Sequence, residues 1–91
     1  MADREPVMSE SEILGWLTER LGTQVSQPIA QINPDVPYVE YGLDSVAALG
    51  LFGDIEEKFG LVLDPSIALQ YSTLTLMAGF LAAEQHEVVH S

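Results

Sequence analysis

The stretch Tyr41-Gly42-Leu43-Asp44-Ser45-Val46 holds the one hydroxyl placed to do chemistry. Gly42 permits a backbone turn, and Asp44 is a good N-cap for a helix starting at Ser45. Ser45 then stands at the mouth of that helix, where the dipole is positive and an anion attached to its hydroxyl would be stabilised. A second stretch, His86-Glu87-Val88-Val89-His90, matches the H-E-x-x-H zinc pattern. That pattern needs a stable helix, a third ligand and a cleft. Here the second His is the penultimate residue, so the stretch is read as a solvated tail and no metal site is assigned. No G-x-S-x-G elbow surrounds Ser45, and no His is placed as its base. Gly-rich phosphate loops and Ca²⁺ loops are missing as well. A hydroxyl without machinery to use it points to a protein that enzymes act upon, not to an enzyme.

The elements that must position Ser45 follow from the hydrophobic pattern. Ser9-x-x-Glu12 is a capping box, so a first helix is expected from about Glu10 to Gly22, with Gly22 as its C′ residue. Ile13, Trp16, Leu17 and Leu21 form its apolar stripe. Residues 23–44 form a long connection in which Pro28, Pro34 and Pro37 forbid a continuous helix. Val25, Ile29, Ile32, Val36, Tyr38 and Tyr41 can fasten it to the core, and Asn33-Pro34-Asp35 reads as a turn. The second helix is expected from Ser45 to Phe59, with Ala48, Leu51, Phe52, Ile55 and Phe59 facing the core. Its outer side carries Val46, Gly50, Gly53, Asp54 and Glu57, with Leu49 at the edge. Gly60 stops it. Asp64-Pro65 opens a short helix to about Leu69. A last helix runs from Leu74 to about Gln85, with Leu74, Met77, Ala78 and Leu81 inward and Leu76 and Phe80 to one side. The expected fold is all-α: a small bundle of three longer helices and one short one, with a long first loop. Residues 1–8 are read as a disordered lead, 9–85 as the domain and 86–91 as a flexible tail.

Composition narrows the partners. Fourteen acids against three bases (Arg4, Arg20, Lys58) leave a formal net charge of −11. Such a chain repels nucleic acid and anionic membranes and attracts basic protein surfaces. It has no run long enough to span a membrane and no secretory signal. Without Cys it has no disulfide framework and no thiolate metal site. These features suit a cytoplasmic monomer.

In this spacing the sequence resembles the acyl carrier protein family over about Ser9 to Ala83. The resemblance rests on Gly42-Leu43-Asp44-Ser45, with Val46 where these carriers often have Leu. Flanking it are Ile32-Asn33-Pro34-Asp35 with Pro37-Tyr38, then Glu56-Glu57-Lys58-Phe59-Gly60. Tyr71-Ser72-Thr73 resembles the family's Tyr-Pro-Thr, with Ser72 replacing the Pro. The resemblance implies that Ser45, beside Asp44, receives 4′-phosphopantetheine from coenzyme A through a phosphopantetheinyl transferase. The arm's thiol would then carry an acyl chain as a thioester. It implies a partner face of Val46, Leu49, Gly53, Asp54, Glu56 and Glu57. The implied partners are an acyl-loading enzyme (an acyltransferase or acyl-AMP ligase) and a ketosynthase or other synthase enzymes. GLDS favours the fatty acid and polyketide side over peptidyl carriers. The run Asp44-Ser45-Val46-Ala47-Ala48 is similar to that of carriers served by fatty-acyl-AMP ligases in polyketide or lipopeptide pathways. The reading from another class is an acidic helical interaction module that carries nothing.

Overall fold

The computed structural model describes residues 8–90, with side chains other than those of Ser45, Pro65 and residues 85–90. Four α-helices follow one another: α1 (Glu10–Val25), α2 (Ser45–Phe59), α3 (Pro65–Gln70) and α4 (Leu74–His90). Two 3-10 turns, Ile29–Gln31 and Tyr38–Tyr41, lie in the connection between α1 and α2. There is no strand among the described residues. The all-α bundle with a long first loop is therefore observed as expected.

Each helix start is set locally. Ser9 Oγ accepts from the Glu12 N–H at 3.1 Å, and Glu12 Oε1 accepts from the Ser9 N–H at 2.8 Å, completing the capping box. Asp44, Asp64 and Thr73 cap α2, α3 and α4 by accepting from Ala47, Ser66 and Leu76 N–H groups. Gly60, at φ 67°, ends α2, and the Gly60 and Leu61 N–H groups both reach the Glu56 carbonyl.

Two helix ends differ from expectation. α1 does not stop at Gly22 but runs to Val25, with Ser26 in the left-handed conformation. Gly22 is needed for close approach: a Cβ there would sit 2.8 Å from the Gln27 carbonyl oxygen, where the chain turns back over the helix. α4 continues past Gln85 to His90. Residues 82–89 contain no Gly or Pro to break it. The side chains of the H-E-x-x-H stretch and residues 1–7 of the expected lead lie outside the described residues, whereas Met8, the last residue of that lead, packs partly buried against the core.

The core joins Ile13, Leu17 and Leu21 of α1 to Leu51 and Ile55 of α2 and to Leu74, Met77, Ala78 and Leu81 of α4. These are the expected stripes at helical spacing, and their burial drives the fold. Trp16, Ala48, Phe52 and Phe59, expected in the same stripes, are half-buried rather than buried. Thr18, a buried polar side chain, donates to the Leu14 carbonyl at 2.7 Å. α1 packs most extensively on α4 and next on α2.

The long connection is fastened at defined points. Ile32 and Tyr38 are buried in it, whereas Ile29 stays exposed. Asn33 to Val36 closes the expected turn, with Asp35 N–H donating to Asn33 Oδ1 at 2.9 Å. The Tyr38 N–H donates to the Ser72 carbonyl at 3.1 Å, and the Tyr38 hydroxyl donates to the Ala68 carbonyl at 3.3 Å. Thr75 ties α4 to the loop through the Pro34 carbonyl and Asp35 Oδ1.

Candidate functional site at the mouth of the second helix

Ser45 is the first residue of α2, and what precedes it fixes its place. Gly42 takes φ 83°, a left-handed turn that a side chain would strain. Asp44 is extended, and its Oδ1 accepts from the Ala47 N–H at 2.8 Å while its carbonyl accepts from the Ala48 N–H at 2.8 Å. Tyr41 braces the loop: its hydroxyl accepts from the Asn33 N–H at 2.6 Å and donates to the Asn33 carbonyl at 3.3 Å. Residue 45 is thus delivered to the positive end of a 15-residue helix.

One turn further along, Ala48 and Leu49 border a cavity of about 440 Å³ between α2 and α3. Leu49 and Phe52 wall it from α2, Leu63, Ile67 and Ala68 from the far side, and Met77 of α4 closes its floor. The volume lies in the range typical of ligand pockets, about 300–1,000 Å³. Two carboxylates stand in its lining. Glu56 Oε2 accepts from the Leu63 N–H at 2.8 Å, which ties the α2–α3 loop back to α2. Asp64 caps α3, and hydrogen bonds from Ser66, its N–H foremost and its hydroxyl second, hold the carboxyl below the usual carboxylate range.

The expected partner residues separate into three groups. Val46 and Leu49 are 79% and 73% exposed, large apolar side chains left in water beside residue 45. Gly53 and Glu57 are exposed with them. Glu56 is half-buried and turned to the cavity. Asp54 faces the other way: its Oδ2 lies 3.3 Å from Arg20 Nε, an ion pair with α1. Gly50, expected on the outer side, also faces α1, because a Cβ there would meet the Gln24 side chain at 2.9 Å. Reading α2 as one inner and one outer side missed this flank, where α1 leans over it.

Sequence reasoning named neither the cavity nor Leu63, Ile67, Ala68 and Met77 as parts of it. Leu63 and Ile67 stand four residues apart across the capped start at Asp64, a short local signal for a shared face.

A helical domain with a long first loop that presents a capped helix mouth, with an apolar cleft one turn away, has the form of a carrier domain. The comparisons agree. The family model described as the phosphopantetheine attachment site matches residues 15–81. Polyketide synthase 2 of Metarhizium robertsii is 33% identical over 84 residues, covering 92% of this chain and 4% of that protein. Acyl carrier protein TtuC of Teredinibacter turnerae is 26% identical over 80 residues, covering 88% of this chain and 92% of that one. A free-standing peptidyl carrier protein from an Acinetobacter baumannii secondary metabolic pathway superposes with a TM-score of 0.78 at 28% identity, covering 84% of this chain and 95% of that one. The chain belongs to the phosphopantetheine-binding carrier family, whose members bear 4′-phosphopantetheine and carry acyl groups without transforming them. It spans a small fraction, 4%, of the length of the first polyketide synthases it matches. No helix among the described residues is long and apolar enough to cross a membrane.

Proposed function

We propose that Ser45 is the attachment residue and that the chain holds acyl intermediates of a polyketide-type pathway, working as a monomeric cytoplasmic carrier. The carrying observation is the position of residue 45: first in α2, behind the Asp44 cap, and one turn from an apolar cavity. The chain's residues fit the group. A phosphodiester at this helix mouth is favoured by the dipole, and Asp44, engaged by the Ala47 N–H, is turned into the helix end. When attached, the arm supplies a thiol on which the acyl chain rides as a thioester. Leu49, Phe52 and Ile67 supply an apolar shelter for that chain between enzyme visits.

The synthase relatives support the polyketide assignment. A transferase using coenzyme A would install the arm, an acyltransferase or acyl-AMP ligase would load it, and a ketosynthase or other synthase enzyme would receive the chain. Those partners would read the exposed apolar pair Val46 and Leu49, flanked by Gly53 and Glu57. The charge of −11 would draw basic enzyme surfaces over about one Debye length, near 8 Å at physiological salt.

Intact mass after incubation with coenzyme A and a broad-range phosphopantetheinyl transferase tests the attachment. The wild type gains one phosphopantetheine, and Ser45→Ala gains none while keeping its helical spectrum. Modification that persists in Ser45→Ala refutes the assignment. The partner face is tested by transfer and loading rates at low and high salt. Val46→Asp weakens docking at any salt, and Glu57→Lys slows association and flattens its salt dependence.

A further inference from the structure

We propose that Tyr41 and Thr75 are positioning residues for the modification of Ser45, acting through a hydrogen-bond chain that hangs the segment in front of α2 on the start of α4. This rests on the reading in which Ser45 is the attachment residue. That transfer joins the serine oxygen to the pantetheine-side phosphorus of coenzyme A. The bond from that phosphorus to the bridging oxygen breaks, adenosine 3′,5′-bisphosphate leaves with the electron pair, and the hydroxyl proton passes to a base of the transferase. Attack must come in line with the leaving group, so the placement of residue 45 decides how much of the carrier is fit to react.

The connection reaches residue 45 through Gly42, a left-handed turn with no side chain to hold it. The hold comes from the residue before. The Tyr41 hydroxyl accepts from the Asn33 N–H at 2.6 Å and donates to the Asn33 carbonyl at 3.3 Å, so one phenol engages both backbone groups of a residue eight positions back. Asn33 Oδ1 accepts from the Asp35 N–H at 2.9 Å, and Asp35 Oδ1 accepts from the Thr75 hydroxyl at 2.7 Å. Thr75 lies in the first turn of α4, and its N–H donates to the Pro34 carbonyl at 3.2 Å. Leu74 and Met77, buried on either side of Thr75, fix that turn in the core, and Ile32, buried just before Asn33, seats the loop there too. The chain Tyr41–Asn33–Asp35–Thr75 thus refers the mouth of α2 to α4. Its links are in series. Losing either hydroxyl lets the segment leave its braced placement part of the time, which lowers the competent fraction of carrier. Apparent affinity for the transferase falls by that fraction, while the complex, once formed, keeps the same geometry.

The test measures transfer from coenzyme A to the full chain by a broad-range phosphopantetheinyl transferase, with the carrier concentration varied. Tyr41→Phe and Thr75→Val each remove one hydroxyl and keep the shape. Each is expected to raise KM for the carrier about three- to tenfold, the range set by one net hydrogen bond, with kcat unchanged. Because either break disconnects the same chain, the double variant is expected to match the weaker single variant rather than multiply the two effects. Thr75→Ser keeps the hydroxyl and is expected to restore the wild-type KM. Ile13→Val trims the core beneath α1, so it lowers the melting temperature and leaves KM in place, which separates placement from stability. A wild-type KM in Tyr41→Phe or Thr75→Val, multiplied effects in the double variant, failure of Thr75→Ser to restore KM, or an equal rise in Ile13→Val overturns the proposal while the carrier reading stands. A wild-type chain that accepts no phosphopantetheine overturns both.

Discussion

The two flanks of α2 are built on opposite plans. Toward α1 the seam is closed. Gly50 lets Gln24 lie against the helix, Arg20 pairs with Asp54, and the Lys58 ammonium sits 5.5 Å from the centre of the Trp16 ring. Trp16 in turn meets Phe59 edge-on, with ring centres 5.8 Å apart. Toward α3 the helix instead leaves a cavity, spanned by the single strap from Glu56 to the Leu63 N–H. One helix thus serves as a fixed wall on one side and as the border of a container on the other. Both described cations of this acidic chain, Arg20 and Lys58, lie on the fixed side. The open side is left to carboxylates and apolar groups.

Truncation on each flank gives the largest contrast. Leu17→Ala, fully buried under the closed side, is expected to cost about 2–5 kcal/mol. Leu63→Ala borders the cavity, is only half-buried, and should cost about 1 kcal/mol. Urea titration of both variants measures the pair, and equal losses would mean that the two sides are packed alike.

Tyr38 sharpens the comparison by pH. It lies beneath the open flank, 2% exposed, edge-on to Phe52, with its hydroxyl on the Ala68 carbonyl. Burial pushes its pKa from 10.0 up to about 12. The folded state therefore favours the neutral phenol. That stabilisation is complete below pH 10 and is lost as pH climbs through about 12. Tyr38→Phe should lower stability at pH 7 by about 0.5–1.5 kcal/mol and reduce the alkaline loss. Melting curves from pH 8 to 12 check it, and an unchanged alkaline slope would remove Tyr38 as its source.

The glycines of α2 give a smaller, signed test. Gly53→Ala meets nothing within 4 Å and should stabilise by about 1 kcal/mol through helix propensity. Gly50→Ala must first displace the Gln24 amide, so its gain should be less. The smallest effect belongs to Arg20→Ala, under about 1 kcal/mol, since both partners are about one-third exposed. Comparable thermal shifts for the two glycine variants would show that the closed seam yields easily.

Legibility in the sequence followed the range of the interaction. Ser9, Asp44 and Asp64 announced their helices because a cap acts on an amide two or three residues away. The inward stripes of α1 and α4 were legible for the same reason. Gly22 was misread as a stop because its missing side chain answers the returning chain at Gln27. Gly50 and Asp54 were placed outward because nothing in α2 reveals where α1 crosses it. The start of α2 at residue 45 could be read from six consecutive residues. The cavity could not, since α2, the Leu63 loop, α3 and Met77 meet only in the folded chain.

The pairing of the first helix with the last has a mechanical meaning. α1 and α4 form the most extensive contact in the domain, with Glu10 lying beside Gly79 and Thr75 pinned to the Pro34 carbonyl. The first and last described helices hold each other, so the loop, α2 and α3 that run between them form a segment closed at both ends. Fraying that starts at either end of the domain meets this seam before it reaches residue 45.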